Sequence, residues 1–421
     1  MKKRDTDITN SDNQTALTPK IKARKIKVLK IKLLTSTQTQ IIQPNFSANN
    51  AFKSLADSVD RASTVVFDSV AALRARDWRD KNQYTYGLLG TPTTRQLERQ
   101  LALIDKVNHV ILASSGSAAI NLVMLSLLKT GDSVLLPNNV YAPALDFAKY
   151  LQAQYGVNYA LYDPTNLTDL TLPKNTTLIW VETPGSITME VADLPAIAAI
   201  AHAHGAVVAV DATWAAGIAL PVFALGADIA IQALTKYQSG GSDVMMGSVS
   251  TPSDAIHAQL ASVNVTLGTG ISPEDCRLIL RSLPHYALRY AAQDKAARHI
   301  ARWFATQAAV EQVLHPALEG APGHDIWRRD FIGAASLFSV VFKAHFSQSQ
   351  IDACVEALQL FHLGFSWGGA VSLAVPFTRN QMHANYSYNG LLVRFYIGLE
   401  DVNDLLQDLE QAFKPLNKLY A

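Results

Sequence analysis

Cysteine is almost missing from this chain: two in 421 residues, Cys276 and Cys354. Two thiols cannot build a disulfide framework, and neither stands at a spacing suited to a metal, so no metal is expected and a reducing cytoplasm is the expected location. Net charge is nearly missing too. Lys plus Arg number 36 against 35 Asp plus Glu, which offers nucleic acid no basic field as a general partner. Nor does any run of about 18 apolar residues without charges mark a helical membrane span. Internal repeats are not found.

What is present is a large apolar fraction, 49%, with 17% charged residues. At 421 residues this composition predicts a globular enzyme of two or three domains with much buried surface. Residues 1–40 differ from the rest. They carry Lys2, Lys3 and Arg4, then Lys20-Ile-Lys-Ala-Arg-Lys-Ile-Lys-Val-Leu-Lys-Ile-Lys32. That composition predicts a basic, disordered tail. A targeting leader is the alternative, although the lysines interrupt the apolar run a secretory signal needs.

From about residue 105 the pattern is α/β. Strand-like apolar runs recur at 109–113, 133–137, 158–162, 177–182, 207–211, 228–234 and 244–249, with helical stretches such as 117–129 and 193–204 between them. Near-continuous apolar strands alternating with helices predict a mostly parallel sheet covered on both faces. Residues 272–307 read as a long helix with a break or kink at Pro284. Beyond it, strands at 336–342 and 391–397 and helices at 348–360 and 400–414 predict a smaller α+β part. The expected organisation is a tail (1–40), an arm (41–104), a large domain (105–283) and a C-terminal domain (284–421).

The chemistry concentrates at strand ends. Asp228-Ile-Ala-Ile-Gln-Ala-Leu-Thr-Lys-Tyr-Gln-Ser-Gly-Gly241 delivers Lys236 at the mouth of a buried strand, and Val207-Val-Ala-Val-Asp211 delivers a carboxylate the same way. A strand-end amine and carboxylate are what a pyridoxal phosphate (PLP) enzyme needs: the lysine forms the Schiff base and the aspartate keeps the pyridine nitrogen protonated. Asp211 could instead cap the segment after it. Gly116 and Ser117 open a helix after a strand, where free N–H groups suit a phosphate; an ordinary helix cap is the alternative. Thr213 could touch the ring, and Thr235 offers a hydroxyl to the phosphate. Arg394, inside the apolar run Leu391-Leu-Val-Arg-Phe-Tyr-Ile397, needs a carboxylate partner, from a ligand or from the protein itself. Trp214 is expected to pack, and Asp243 to hold its loop.

Seven segments in order carry a family resemblance. They are Tyr86-Gly-Leu-Leu-Gly-Thr-Pro-Thr93, Ser115-Gly-Ser-Ala-Ala119, Glu182-Thr-Pro-Gly-Ser-Ile-Thr-Met-Glu190, Asp211-Ala-Thr-Trp-Ala-Ala-Gly217, Thr235-Lys-Tyr-Gln-Ser-Gly240 with Ser242-Asp243, Phe365-Ser-Trp-Gly-Gly369, and Val393-Arg-Phe-Tyr-Ile-Gly-Leu-Glu-Asp401. Over about 60–415 the chain resembles the Cys/Met-metabolism family of fold-type I PLP enzymes. The Gly185-Ser-Ile-Thr-Met-Glu190 and Tyr141-Ala-Pro-Ala-Leu-Asp-Phe147 wordings are similar to its β-lyase branch.

The resemblance implies a fold-type I, PLP-dependent transferase-like α/β fold, with a mostly parallel seven-stranded sheet and a smaller C-terminal α+β domain. It implies β-elimination from L-cystathionine to homocysteine, pyruvate and ammonia. The alternatives are cysteine or cystine C–S lyase, γ-lyase, γ-synthase or sulfhydrylase chemistry on the same scaffold, or a non-catalytic PLP-fold protein. Lys236 would be the base, Tyr141 would stack on the cofactor ring, and Lys236 or Tyr141 would assist thiol departure; an ordinary core or helix-start tyrosine is the alternative for Tyr141. Arg394, helped by Ser366 and Trp367, would hold the substrate carboxylate. Tyr86 would reach the phosphate in a neighbouring subunit of a homodimer or homotetramer with shared active sites. Leu88 departs from the pattern, since many members carry an arginine there that pairs with the phosphate. Placed two residues along an extended segment, it is expected on the same side as Tyr86.

Overall fold

The computed structural model describes residues 36–43, 54–168, 170–382 and 386–417. Residues 36–43 belong to a separate unit, Met1–Ala51. In it Thr37–Ile42 forms a short helix whose N-terminus is capped by the Ser36 hydroxyl, which accepts the Thr39 N–H. The last four positions of the expected tail are therefore helical; residues 1–35 lie outside the described residues.

The second unit, Phe52–Ala421, holds two sheets. The larger has seven strands in the order β1-β7-β6-β5-β4-β2-β3: β1 (His109–Ala113), β2 (Ser133–Pro137), β3 (Asn158–Tyr162), β4 (Thr176–Glu182), β5 (Val207–Asp211), β6 (Ile229–Gln232) and β7 (Gly247–Thr251). All pairings are parallel except those of β7, which runs against both β1 and β6. The expectation of a mostly parallel seven-stranded sheet is borne out. β2 and β6 are buried at every position, as strands covered on both faces must be.

Helices α1 (Pro92–Asp105), α2 (Gly116–Leu127), α3 (Ala142–Tyr155), α4 (Leu194–His204) and α5 (Asp254–Thr266) accompany these strands. α2 to α4 start on a cap or a proline and two of them stop cleanly. Ser115 accepts the Ala118 N–H before α2, Asp193 accepts the Ala196 N–H before α4, and Gly156 and Gly205 end α3 and α4 in left-handed conformation. In a parallel sheet of this kind the carboxyl ends of the strands share one edge, and ligands bind there.

The expected break at Pro284 does not occur. Helix α6 is continuous from Pro273 to Ala305, 33 residues with Pro284 inside it. Proline costs a helix one hydrogen bond, but Leu280, Leu283, Tyr286 and Tyr290 around it are buried, and their packing outweighs that loss. Strand β7 also differs from the expected 244–249. Residues 244–246 stay in the preceding loop because the Thr235 side chain accepts the Met246 N–H at 3.0 Å.

The second sheet has five strands in the order β10-β11-β12-β9-β8: β8 (Val310–Leu314), β9 (Leu337–Phe342), β10 (His362–Leu363), β11 (Leu373–Phe377) and β12 (Leu392–Tyr396). It is antiparallel except for the β10–β11 pair. Helices α7 (His324–Asp330), α8 (Gln348–Glu356) and α9 (Val402–Asn417) lie around it. A buried cluster with Phe304, Phe338, Phe342, Phe395 and Phe413 ties the sheet to α6 and α9. Among the described residues no helix is long and apolar enough to cross a membrane.

Candidate active site

A cavity of about 490 Å³ opens where the carboxyl edge of the large sheet meets the loop 365–369 and strand β12. Strand β6 stops at Gln232, and the Lys236 N–H bonds the Ala233 carbonyl at 3.0 Å to turn the chain. The side chain of Lys236 points into the cavity. Its Nζ donates to Ser366 Oγ at 2.6 Å and lies 4.4 Å from the Trp367 ring centroid. Loss of water around the amine, and then the charge of Arg394, bring its pKa down to about 8, while Asp211 acts the other way.

The loop that meets the lysine is pressed onto its backbone. Gly368 has φ +89°, and a Cβ there would collide with the main chain of Lys236 and Tyr237. Ser366 holds φ +92° without being glycine, a conformation that costs of order 1–3 kcal/mol and persists only where the surroundings impose it. Trp367 Nε1 is buried without a partner among the described residues.

Asp211 ends β5 and accepts the Thr213 N–H at 3.0 Å. Burial pushes its pKa up, against the bonds from Thr213 and the charge of Lys236. It joins none of the ion pairs among the described residues. Thr213 is engaged from both ends, since its hydroxyl also accepts the Ala233 N–H at 3.0 Å. Thr235 lines the cavity as well, but its hydroxyl donates to the Met246 carbonyl at 3.2 Å and accepts the Met246 N–H. A bond from Thr235 to a phosphate would compete with that pair.

Gly116 and Ser117 form the N-terminus of α2 on the cavity wall. A Cβ at Gly116 would stand 2.7 Å from the Ala233 Cβ, so only glycine lets this helix end sit so close to the turn carrying Lys236. Tyr141 precedes α3, lines the cavity and is 40% exposed. Its N–H donates to Glu182 Oε2 at 2.7 Å.

Arg394 sits mid-strand in β12 between Ser339 and Val375 and is 7% exposed. One guanidinium nitrogen donates to the Ser186 carbonyl at 2.9 Å, and the Trp367 and Phe377 rings each lie 5.4 Å away. No ion pair among the described residues involves it, so no described carboxylate is its partner. Burial lowers its pKa to about 10, opposed by Tyr141 and Glu182. A desolvated guanidinium held by a single carbonyl is suited to an incoming carboxylate.

The structure thus gathers Gly116, Ser117, Tyr141, Asp211, Thr213, Thr235, Lys236, Ser366, Trp367 and Arg394 around one cavity. Tyr86 and Leu88 stand apart from it in the same chain. Tyr86 is 48% exposed and bridges Thr64. The extended placement expected of Leu88 is incorrect: Gly87–Leu89 is a 3₁₀ turn, closed by Leu89 N–H to Tyr86 carbonyl at 2.9 Å. Residues two apart in such a turn diverge. Gly87 permits the close approach of this turn to the preceding strand-like segment: its N–H bonds the Ser63 carbonyl at 2.8 Å, and a Cβ there would overlap the Ala62 carbonyl. Leu88 instead lines a separate cavity of about 620 Å³.

Sequence reasoning quoted Glu182 within a motif but gave it no role. It pairs in register with Asp211 and is 6% exposed. The available signal was a second carboxylate ending an otherwise apolar strand, as Asp211 ends its own.

These residues fit PLP. A carboxylate deep in the cavity and outside every described ion pair suits a protonated ring nitrogen. The helix end at Gly116 suits a phosphate, and an amine stands between them.

Residues 38–414 match the family described as Cys/Met metabolism PLP-dependent enzyme. The cystathionine beta-lyase of Escherichia coli is 33% identical over 385 residues, 89% of this chain and 97% of that protein. An L-alanine/L-glutamate racemase of Wolbachia pipientis is 33% identical over 79% of this chain and 83% of that protein. Among solved structures, the cystathionine gamma synthase of Xanthomonas oryzae in complex with cystathionine superposes with a TM-score of 0.84. It is 27% identical, covering 91% of this chain and 99% of that one.

Proposed function

Since the chain belongs to the PLP-dependent enzymes of Cys/Met metabolism, we propose that it is a carbon–sulfur lyase releasing homocysteine from L-cystathionine by β-elimination, with pyruvate and ammonia as the other products. The observation that carries this reading is the pair of cations in the cavity. Lys236, with a pKa near 8, would face the reacting carbon, and Arg394, whose hydrogen bond among the described residues goes to the Ser186 carbonyl, would take the α-carboxylate.

PLP, when bound, supplies the electron sink that makes the Cα proton acidic. Asp211 would hold its ring nitrogen, the α2 N-terminus and Tyr86 of a neighbouring subunit would hold its phosphate, and Tyr141 would cover the ring. Lys236 Nζ, whose pKa near 8 suits an acid–base group at neutral pH, would take the Cα proton of the bound substrate. Ser366 Oγ, 2.6 Å from Nζ, steadies the amine. The Cβ–S bond would then break, its electron pair leaving with sulfur while the Cα–H electrons form a Cα=Cβ bond; a proton from Lys236 or Tyr141 would complete the thiol, and water would hydrolyse the released enamine to pyruvate and ammonia.

The shared-site arrangement makes the protein a homodimer or homotetramer, with residues 41–104 as the arm that reaches across. A cytoplasmic location goes with this reading, supported by two buried free thiols, Cys276 and Cys354. The similarity to a γ-synthase fold supports a second reading, γ-chemistry on the same residues. Products from cystathionine, cystine and cysteine measured side by side separate the two. Pyruvate from cystathionine is expected, and 2-oxobutyrate would replace the β-lyase reading with the γ one.

A further inference from the structure

Glu182 is the chargeable side chain of the cavity that the steps above leave without a task. Strands β4 and β5 run in parallel with Glu182 directly beside Asp211, so the two side chains leave the same face of the sheet. Two carboxylates so placed resist being charged together. Asp211 has the Thr213 N–H and the charge of Lys236 on its side. Glu182 has the Tyr141 main-chain N–H at 2.7 Å, a bond that a neutral carboxyl oxygen can also accept, although a charged one accepts it more strongly.

The groups facing Glu182 come from several elements: Asp211 from β5, Arg394 from β12, Glu190 from the segment after β4, and Tyr141 from the start of α3. Burial and then Asp211 hold the Glu182 proton in place, with Glu190 adding to them; the Tyr141 bond and Arg394 act against them. Arg394 directs a guanidinium nitrogen to the Ser186 carbonyl instead, and no ion pair among the described residues joins it to Glu182.

We propose that Glu182 is a positioning residue that works as an uncharged carboxyl: it pins the Tyr141 main chain at the cavity wall and leaves Arg394 unneutralised for the substrate carboxylate. Tyr141 has no side-chain cap of its own at the start of α3, so Glu182 supplies the contact that sets where the ring stands. An ionised carboxylate at the same place would compete with the substrate for Arg394. The inference rests on the roles given above to Tyr141 and Arg394.

Two variants test it. In the PLP-free protein at neutral pH, infrared difference spectroscopy of wild type against Glu182→Gln should give the C=O stretch of a protonated carboxyl that the variant lacks. That readout needs neither cofactor nor substrate. In the holoenzyme, Glu182→Ala removes the acceptor of the Tyr141 N–H and should lower kcat about tenfold, with a shifted absorption band of the bound cofactor. Glu182→Gln keeps an acceptor oxygen and should restore kcat and KM for L-cystathionine to within about threefold. The proposal is overturned if wild type lacks the protonated-carboxyl stretch, or if Gln is as impaired as Ala. A KM about tenfold lower in the Gln variant would also overturn it, because the native carboxylate would then be charged and competing. If wild type turns over no sulfur amino acid, the functional reading fails, and the infrared result still decides the state of Glu182.

Discussion

The two sheets serve the cavity in unlike ways. The large sheet delivers its groups where strands end: Glu182 and Asp211 close β4 and β5, and Lys236 follows β6 by one turn. The small sheet delivers one charge from the middle of a strand, Arg394, locked between Ser339 and Val375. Groups at strand ends stand beside one another and tune each other's protonation. A mid-strand arginine is fixed by its ladder and, although its charge lowers the Lys236 pKa, forms no ion pair among the described residues, which suits holding over reacting. In the proposed mechanism the large sheet is thus the reacting side of the site and the small sheet the gripping side.

Lys236→Ala tests the reacting side most severely. Losing both the Schiff-base amine and the Cα base should lower kcat on the order of a thousandfold or more, read as pyruvate formed by purified protein. Arg394→Ala tests the gripping side. Truncating one partner of a desolvated charge pair costs about 2–5 kcal/mol, which should appear in kcat/KM for the amino acid while PLP retention stays near wild type. Loss of PLP with KM unchanged would reverse the division between the sheets.

The third prediction concerns pH. The amine is reactive only when neutral, and the lowered pKa puts half of Lys236 in that form at about 8. In the PLP-free protein, labelling of Lys236 by an amine reagent should therefore rise through about pH 8 and level off above it. Exposed lysines should still be rising near their usual pKa of about 10.4. Peptide mass analysis across pH reads this directly, and a Lys236 profile that follows the exposed lysines would remove the electrostatic argument. The smallest effect is expected at Leu88, which lies in a 3₁₀ turn and lines the other cavity. Leu88→Arg should change PLP dissociation by less than about threefold; a much slower release would place residue 88 at a phosphate after all.

The same contrast explains what the sequence disclosed. Strands of the large sheet are continuous apolar runs bounded by turns, so β1, β2, β3 and β5 stand where periodicity places them, and Lys236 and Asp211 could be read from their ends. The small sheet was harder to read. β10 has two residues, and β11 contains Pro376, a residue that argues against a strand. It is tolerated because β10 pairs only with Leu373 and Ala374, leaving Pro376 without a neighbour on that side. The long helix was legible, but its continuity through Pro284 and the turn at Gly87 were not. Buried packing around α6 and the close approach of Gly87 to Ala62 and Ser63 depend on residues distant in sequence. Glu182 was visible as a residue but not as a partner of Tyr141, because that bond spans 41 positions.

The account's central claim is that the lysine on the large sheet drives β-elimination. Its most direct test is the keto acid formed from L-cystathionine by wild type and by Lys236→Ala in parallel. Pyruvate and homocysteine in equal amounts from wild type, with almost none from the variant, is the predicted result. Formation of 2-oxobutyrate by wild type, or undiminished pyruvate from the variant, would contradict it.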